Sequence, residues 1–352
     1  MTENINSKIK VLIIDDSALV RKIFSIELAK SDEIEVVGTA PDPFIARQKI
    51  LQLKPDVLVL DIEMPKMDGL TFLEKLMKHY PMPVIIVSSL AKEGGEVALR
   101  ALELGALEIM AKPGASFTVG EMSGQLIEKI KAVYKARLPK MDQAQKRLLD
   151  VRTRPMNTVL KTTKKIIAIG ASTGGTEAIK QILMQLPPMM PPIVIVQHMP
   201  EHFTKSFADR LNVITKHSVK EAENNEILSP GKVLIARGNK HLVVKRSGAT
   251  YYVEVKDGEM IYHQRPSIEV MFRSVARNAA SNAVGVILTG MGKDGAAGLL
   301  EMKNAGAFTI GQDEESCVVY GMPKEAARLG SIMKVASLDR IPNAIVDALE
   351  YS

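Results

Sequence analysis

A single cysteine, Cys317, occurs in 352 residues. One thiol excludes an internal disulfide framework and a cysteine-rich metal site. With no positioned base visible beside it, a quiet buried thiol is the expected role of Cys317. No run of about eighteen apolar residues occurs, so no helix is expected to cross a membrane. The opening MTENINSKIK lacks the apolar core of a signal peptide, so a cytoplasmic location is expected. Glycine and proline are in no collagen-like or disordered excess. What is present is ordinary globular composition, 46% hydrophobic and 24% charged, in a chain long enough for two cores.

The net charge of +6 invites a nucleic-acid reading. Its distribution argues otherwise. Between Tyr134 and Lys165 stand ten Lys/Arg and two Asp/Glu; the rest of the chain carries 36 basic and 38 acidic residues. The excess is thus confined to one segment, which contains Pro139 and Pro155 and reads as a solvated connector. Within it MDQAQKRLLDV has the pattern of a short helix. No helix-turn-helix, zinc-finger or RNP pattern accompanies the charge, so no nucleic acid is expected as partner.

On both sides of this connector, short apolar runs alternate with helical patterns. Before it, strands are expected at 10–14, 34–37, 57–60, 84–87 and 108–111. Helices are expected at 17–29, 43–53, 70–77, 96–104 and 121–133. Five βα repeats with continuous apolar strands predict a doubly wound parallel sheet. After it, KKIIAIG, PPIVIVQH, AVGVILTG and GAFTIGQD read as strands, with helices at 176–186, at 203–211, after Ser267 as N-cap, and from about Asp294. KVLIA, HLVVKR and TYYVEVK read together as a β-rich insert. The expected organisation is an α/β domain over 1–133, a basic linker over 134–163, and a second over 164–352, mainly parallel with an antiparallel hairpin region.

Ligands of open parallel sheets sit beyond the carboxyl ends of the strands. In the first domain those ends carry Asp15 and Asp16, Asp61, Ser88 and Lys112. Crowded carboxylates attract a hard divalent cation, and a carboxylate can accept a phosphoryl group. Taken singly, Asp16 reads as a helix N-cap, Asp61 as a strand-end residue and Lys112 as a solvated lysine. Their convergence on one edge is what favours a site.

The array IIDDSALVRK, LVLDIEMPKMDGL, IIVSS and MAKP resembles the receiver domain of two-component response regulators over residues 8–133. The resemblance implies a flavodoxin-like fold with Asp61 as phosphoacceptor. It implies Mg²⁺ held by Asp15, Asp16, Asp61 and the Glu63 carbonyl, with Ser88 and Lys112 on the phosphoryl group. A sensor histidine kinase is the implied phosphodonor. Receivers usually carry an aromatic residue three positions before the lysine; here Ile109 stands there, so the usual aromatic-rotamer coupling is not carried over.

In the second domain IAIGASTGG admits two readings. It is a small-residue turn before a helix, suited to cradling a phosphate. It also matches G-x-S-x-G, which holds a serine out on a strand-to-helix turn. It lacks the G-K-[ST] of a Walker loop and does not fit G-x-G-x-x-G. The neighbouring strand ends supply His198 and, through Met291-Gly292-Lys293, Asp294. Serine, histidine and aspartate on one sheet edge are the components of a hydrolytic triad. The glycine-rich turns leave N–H groups for an oxyanion. Taken singly, His198 reads as a structural histidine and Asp294 as the cap of the helix AAGLLEMK. The H-x-x-x-H formed with His202 is opposed by Pro200 and is not expected to bind zinc.

IGASTGGTEAI, IVIVQHMP and ILTGMGKDGAAGL resemble the catalytic domain of chemotaxis protein-glutamate methylesterases, the CheB family, from about Lys164 onward. The resemblance implies Ser172 as nucleophile, His198 as base and Asp294 as its orienter. Met291 offers its N–H to the oxyanion and Thr173 lines the site. The implied reaction is phosphorylation-activated hydrolysis of glutamate methyl esters on chemoreceptor helices, with no cofactor, and deamidation of receptor glutamines by the same chemistry. The other readings of the residues are a response regulator with a non-catalytic binding output and a nucleotide-binding enzyme using GASTGG.

Overall fold

The computed structural model describes residues 8–64, 67–88, 92–112, 119–136 and 165–350. The chain divides into two compact units, Met1–Leu138 and Pro139–Ser352. Nearly all of the expected connector, its short helix included, lies outside the described residues. Among the described residues no helix is long and apolar enough to cross a membrane.

The first unit runs β1 (Ile9–Ile14), α1 (Ala18–Leu28), β2 (Ile34–Ala40), α2 (Pro43–Leu53), β3 (Val57–Asp61), α3 (Gly69–His79), β4 (Val84–Ser88), α4 (Lys92–Glu103), β5 (Glu108–Ala111) and α5 (Val119–Tyr134). The sheet order is β2-β1-β3-β4-β5 and every pairing is parallel. Every residue of β3 and β4 is buried, as a strand covered on both faces requires. Each such Val, Leu or Ile contributes about 1.5–3 kcal/mol over leaving it exposed. Helix starts are set by Ser17, Asp42 and Asp68, whose side chains accept from first-turn amides. Ser17, not Asp16, caps α1, which leaves the Asp16 carboxylate to the sheet edge.

The second unit contains β6 (Ile166–Ala171), α6 (Gly175–Gln185), β7 (Ile193–Gln197), α7 (Phe203–Ile214), β8 (Ser218–Glu221), β9 (Glu226–Ile227), β10 (Lys232–Ile235), β11 (His241–Ser247) and β12 (Thr250–Lys256). It continues with α8 (Ile268–Asn278), β13 (Ala283–Ile287), α9 (Ala296–Asn304), β14 (Phe308–Gln312), α10 (Met322–Arg328), β15 (Lys334–Ala336) and α11 (Ile341–Glu350). Seven strands form a parallel sheet in the order β15-β14-β13-β6-β7-β10-β8. A separate antiparallel sheet holds β11-β12-β9.

One expectation is corrected. KVLIA does not belong with the hairpin: as β10 it lies between β7 and β8 in the parallel sheet. Its wholly apolar core, VLI, is buried, which suits a strand covered on both faces rather than a hairpin with one wet face. The chain order grows outward from β6 to one side through β7, then returns to its other side with β13. The boundary between β6 and β13 is therefore the topological switch point, where α/β sheets place their ligands.

Candidate active site and acidic cluster

β6 delivers Ser172 at that switch point. Ala171 faces Gln197 across the ladder, and the His198 amide donates to the Ala171 carbonyl at 3.1 Å. Ser172 and His198 thus leave adjacent strands at the same level. On the other side the Ser172 amide donates to the Thr289 carbonyl at 3.0 Å. The turn after Ser172 is held by its own carbonyl, which accepts from the Gly175 amide at 2.7 Å and from Gln197 Nε2 at 2.9 Å. Gly174 has φ +77°, and a Cβ there would lie 2.6 Å from the side chain of Val318. The glycine thus serves backbone conformation and close packing.

β13 runs into Thr289 and Gly290, which are tied to the segment before α10. Thr289 Oγ1 donates to the Thr173 carbonyl at 3.0 Å and accepts from the Val319 amide at 3.0 Å. The Gly290 amide donates to the Val319 carbonyl at 3.0 Å, and the Gly290 carbonyl accepts from Met322 at 2.8 Å. A Cβ on Gly290 would lie 2.6 Å from Ser172 Cβ, so the loop carrying Met291 passes directly against the serine. Thr173 is buried in the same layer.

His198 and Asp294 are joined: His198 Nε2 lies 2.8 Å from Asp294 Oδ2, and both side chains are buried. Three further donors converge on the carboxylate. Oδ2 accepts from the Ile268 amide at 2.8 Å; Oδ1 accepts from Ser267 Oγ at 2.8 Å and from the Glu269 amide at 3.0 Å. Burial alone would raise the Asp294 carboxyl, but the histidine and these hydrogen bonds hold it below the usual range. An ionised acceptor on Nε2 requires the proton to be there. The other ring nitrogen, Nδ1, is buried with no hydrogen-bond partner, and its lone pair is available as a base.

By its place in the chain, Asp294 reads as the cap of the helix that follows it. It caps a different one: its partners are the first amides of α8. α9 starts instead at Gly295, which provides no side-chain cap, and Glu269 from α8 reaches the Gly298 amide at 2.9 Å. The two helices thus cap one another, each with a carboxylate from the other's first turn or approach. Ser267 contributes twice, as N-cap of α8 and as donor to Asp294. Its N-cap role was legible in the sequence; its tie to Asp294, and that of Gln197 to Ser172, depend on contacts between distant segments.

In the first unit Asp15, Asp16 and Asp61 place one carboxylate oxygen each within 4.8 Å of the others. Arg21 anchors the turn by donating to the Asp15 and Asp16 carbonyls at 2.6 and 2.9 Å. Asp61 Oδ1 accepts from the Glu63 amide at 3.0 Å, and Oδ2 from Lys112 Nζ at 2.7 Å. Asp15 Oδ2 has no hydrogen-bond partner of good geometry and lies 3.4 Å from the same ammonium. Ser88 Oγ is buried and also without a partner. An unsatisfied carboxylate oxygen, two further hard oxygen donors and a spare hydroxyl fit a divalent cation beside a phosphoryl group. Ile109 is buried in β5 opposite Ile86.

Burial raises Asp61 from an ordinary value near 3.8 to about 6, more than Lys112 lowers it. Such a group adds stability below pH 4 and loses it as pH rises through about 6. Each pH unit of the rise is worth about 1.4 kcal/mol. Asp61→Asn is therefore expected to stabilise the receiver transition of the intact chain by about 1–3 kcal/mol at pH 7.5 without divalent cation. Chemical denaturation at pH 7.5 and pH 4 checks this. A gap that fails to shrink at pH 4 would contradict it.

The family model for the CheB methylesterase matches residues 167–345, and that for the response regulator receiver domain matches residues 11–120. The chain is 57% identical over 345 residues to "Protein-glutamate methylesterase/protein-glutamine glutaminase 2" of Syntrophus aciditrophicus, covering 97% of this chain and 99% of that protein. It is 52% identical over 343 residues to "Protein-glutamate methylesterase/protein-glutamine glutaminase" of Thiobacillus denitrificans, covering 97% and 96%. Among solved structures, the CheB methylesterase catalytic domain of Thermotoga maritima matches with TM-score 0.51 and 40% identity, over 52% of this chain and 97% of that one. The chain belongs to the CheB methylesterase family, with a response regulator receiver domain ahead of the methylesterase domain.

Proposed function

We propose that this protein is a response regulator of chemotaxis whose output is hydrolysis of glutamyl methyl esters on the cytoplasmic helices of chemoreceptors. Residues 1–133 are read as the receiver, 134–163 as the connector and 164–352 as the esterase. The observation that carries the reading is the His198–Asp294 couple at the strand end beside Ser172, with Nδ1 unpartnered.

The chemistry follows from these groups. Ser172 Oγ attacks the ester carbonyl while His198 Nδ1 takes its proton. The imidazolium is stabilised by ionised Asp294. The oxyanion is met by the Met291 N–H, with Thr173 lining the site. His198 returns the proton to the departing methoxide, methanol leaves, and an acyl-enzyme remains. Water, deprotonated by His198, then releases the glutamate carboxylate and restores Ser172. A receptor glutamine enters the same route with ammonia as leaving group.

The receiver supplies control. Asp61 is read as the acceptor of a phosphoryl group from a sensor histidine kinase, with Ser88 and Lys112 on its oxygens. Asp15, Asp16, Asp61 and the Glu63 carbonyl would hold Mg²⁺, which neutralises crowded charge during transfer. Phosphorylation adds about 1.5–2 negative charges at Asp61 and raises esterase output. Methanol release from methylated receptor membranes tests the scheme. Wild type is expected to respond to a small phosphodonor with a rise of about thirtyfold, the middle of the usual coupling range. Asp61→Asn keeps the basal rate and loses the rise. No release from wild type under any condition would remove the esterase reading.

A further inference from the structure

The donors around Asp294 do not end at Ser267. The Ser267 amide, itself buried, donates to His241 Nδ1 at 3.2 Å, and His241 Nε2 is 2.9 Å from the Glu259 carbonyl. A carbonyl can only accept, so His241 carries its proton on Nε2 and leaves Nδ1 as acceptor. The imidazole is therefore neutral in the intact network. Its ring is closely packed: a Cβ on Gly258 would lie 2.8 Å from His241 Cδ2. Arg265 Nη1 holds that strand exit by donating to the Gly258 carbonyl at 2.6 Å.

The Ser267 hydroxyl is constrained in turn. Its oxygen accepts from the Val270 amide at 3.4 Å, so its proton is directed to Asp294 Oδ1 at 2.8 Å. The network thus runs from the Glu259 carbonyl through His241, Ser267 and Asp294 to His198, on segments distant in sequence. Each member has one donor–acceptor assignment compatible with its neighbours. The last link sets the proton of His198 on Nε2.

We propose that His241 and Ser267 are positioning residues for the reaction: they fix the Asp294 carboxylate so that the imidazole it holds through Nε2–H stays in one position, with Nδ1 free. Neither touches the ester. His241 acts by anchoring the Ser267 amide, and Ser267 by filling one acceptor site on Asp294. The kinetic part of this rests on the esterase reading; the part that concerns the His198–Asp294 hydrogen bond does not.

The test uses the full chain, phosphodonor-activated, with ¹⁵N-labelled histidine. In wild type the ¹⁵N shifts of His198 should report a single Nε2–H tautomer. His241→Leu removes the acceptor while filling the space. It should lower kcat for methyl-ester hydrolysis about tenfold, the loss of one buried hydrogen bond, with KM unchanged. Its His198 should keep the Nε2–H tautomer that ionised Asp294 dictates, but the Nε2–H proton signal should shift upfield and broaden as the bond to Oδ2 loosens. His241→Asn places an amide oxygen near the lost Nδ1 and should restore kcat to within about threefold and the wild-type Nε2–H signal. Should His241→Leu not fold, Ser267→Ala carries the same two expectations, because it leaves the imidazole in place and removes the hydroxyl donor. Wild-type kcat and a wild-type His198 pattern in the Leu or Ala variant would overturn the proposal. So would an Asn variant as impaired as Leu, since packing alone would then explain the loss. The Nε2–H signal needs no substrate, so it still decides the proposal if the wild type proves inactive on esters.

Discussion

Ser172→Ala is expected to lower methyl-ester hydrolysis by roughly five to six orders of magnitude in kcat, as removal of a triad nucleophile does elsewhere. The size follows from the route. Without Oγ no acyl-enzyme forms, and His198 is left to act on water across a gap shaped for serine. The fold should scarcely notice. The serine's structural bonds are made by its backbone: its amide to Thr289, its carbonyl from Gly175 and Gln197 Nε2. All survive in alanine, and unfolding free energy should stay within about 0.5 kcal/mol of wild type. Single-turnover methanol release together with chemical denaturation separates the two effects. A reading of GASTGG as a phosphate cradle makes the opposite demand, because alanine would keep the glycines and the helix N-terminus. Residual turnover within a hundredfold of wild type would therefore remove Ser172 as nucleophile.

The legible part of this molecule is the part written in local pattern. β3, β4, β6, β7 and β13 are unbroken apolar runs, and their helices follow within a few residues, so the βα alternation can be read directly. Strands without that signature escape. β8, SVKE, is an edge strand with two charged residues, and β15 has three residues. Their strand character comes from pairing with β10 and β14. KVLIA illustrates the same limit from the other side. Its strand identity is local, but its sheet is decided by partners some 40 residues before it. The candidate site divides likewise. That Ser172, His198 and Asp294 stand near strand ends is readable from motif position. That Asp294 turns away from its own helix to cap α8 is not. Asp-Gly before AAGLLEMK looks like an ordinary helix start, and only the approach of Ser267, Ile268 and Glu269 diverts the carboxylate.

That diversion sets the second large effect. Asp294→Asn is nearly isosteric, yet it should cost about four orders of magnitude in kcat, the scale seen when a triad aspartate is replaced by its amide. All four donors point at the carboxylate: a backbone N–H and His198 on Oδ2, a backbone N–H and the Ser267 hydroxyl on Oδ1. An amide must turn its NH₂ to one side or the other. Toward Oδ1 it meets the Glu269 N–H; toward Oδ2 it meets Ile268 and His198. In the second orientation the imidazole can only respond by moving its proton to Nδ1, which destroys the base. In the first, an orphaned backbone donor costs about 1–3 kcal/mol of stability. The Asp294 carboxyl sits below its ordinary range in the fold, so its contribution is present above about pH 4 and is lost as pH falls further. The amide has no such loss. The stability gap between wild type and Asp294→Asn should therefore be largest at neutral pH and close on acidification below about pH 4. Measured together, kcat, the His198 tautomer and the acid unfolding curve tie one side chain to both roles. A variant that keeps kcat within tenfold while losing stability would leave Asp294 as a helix cap and nothing more.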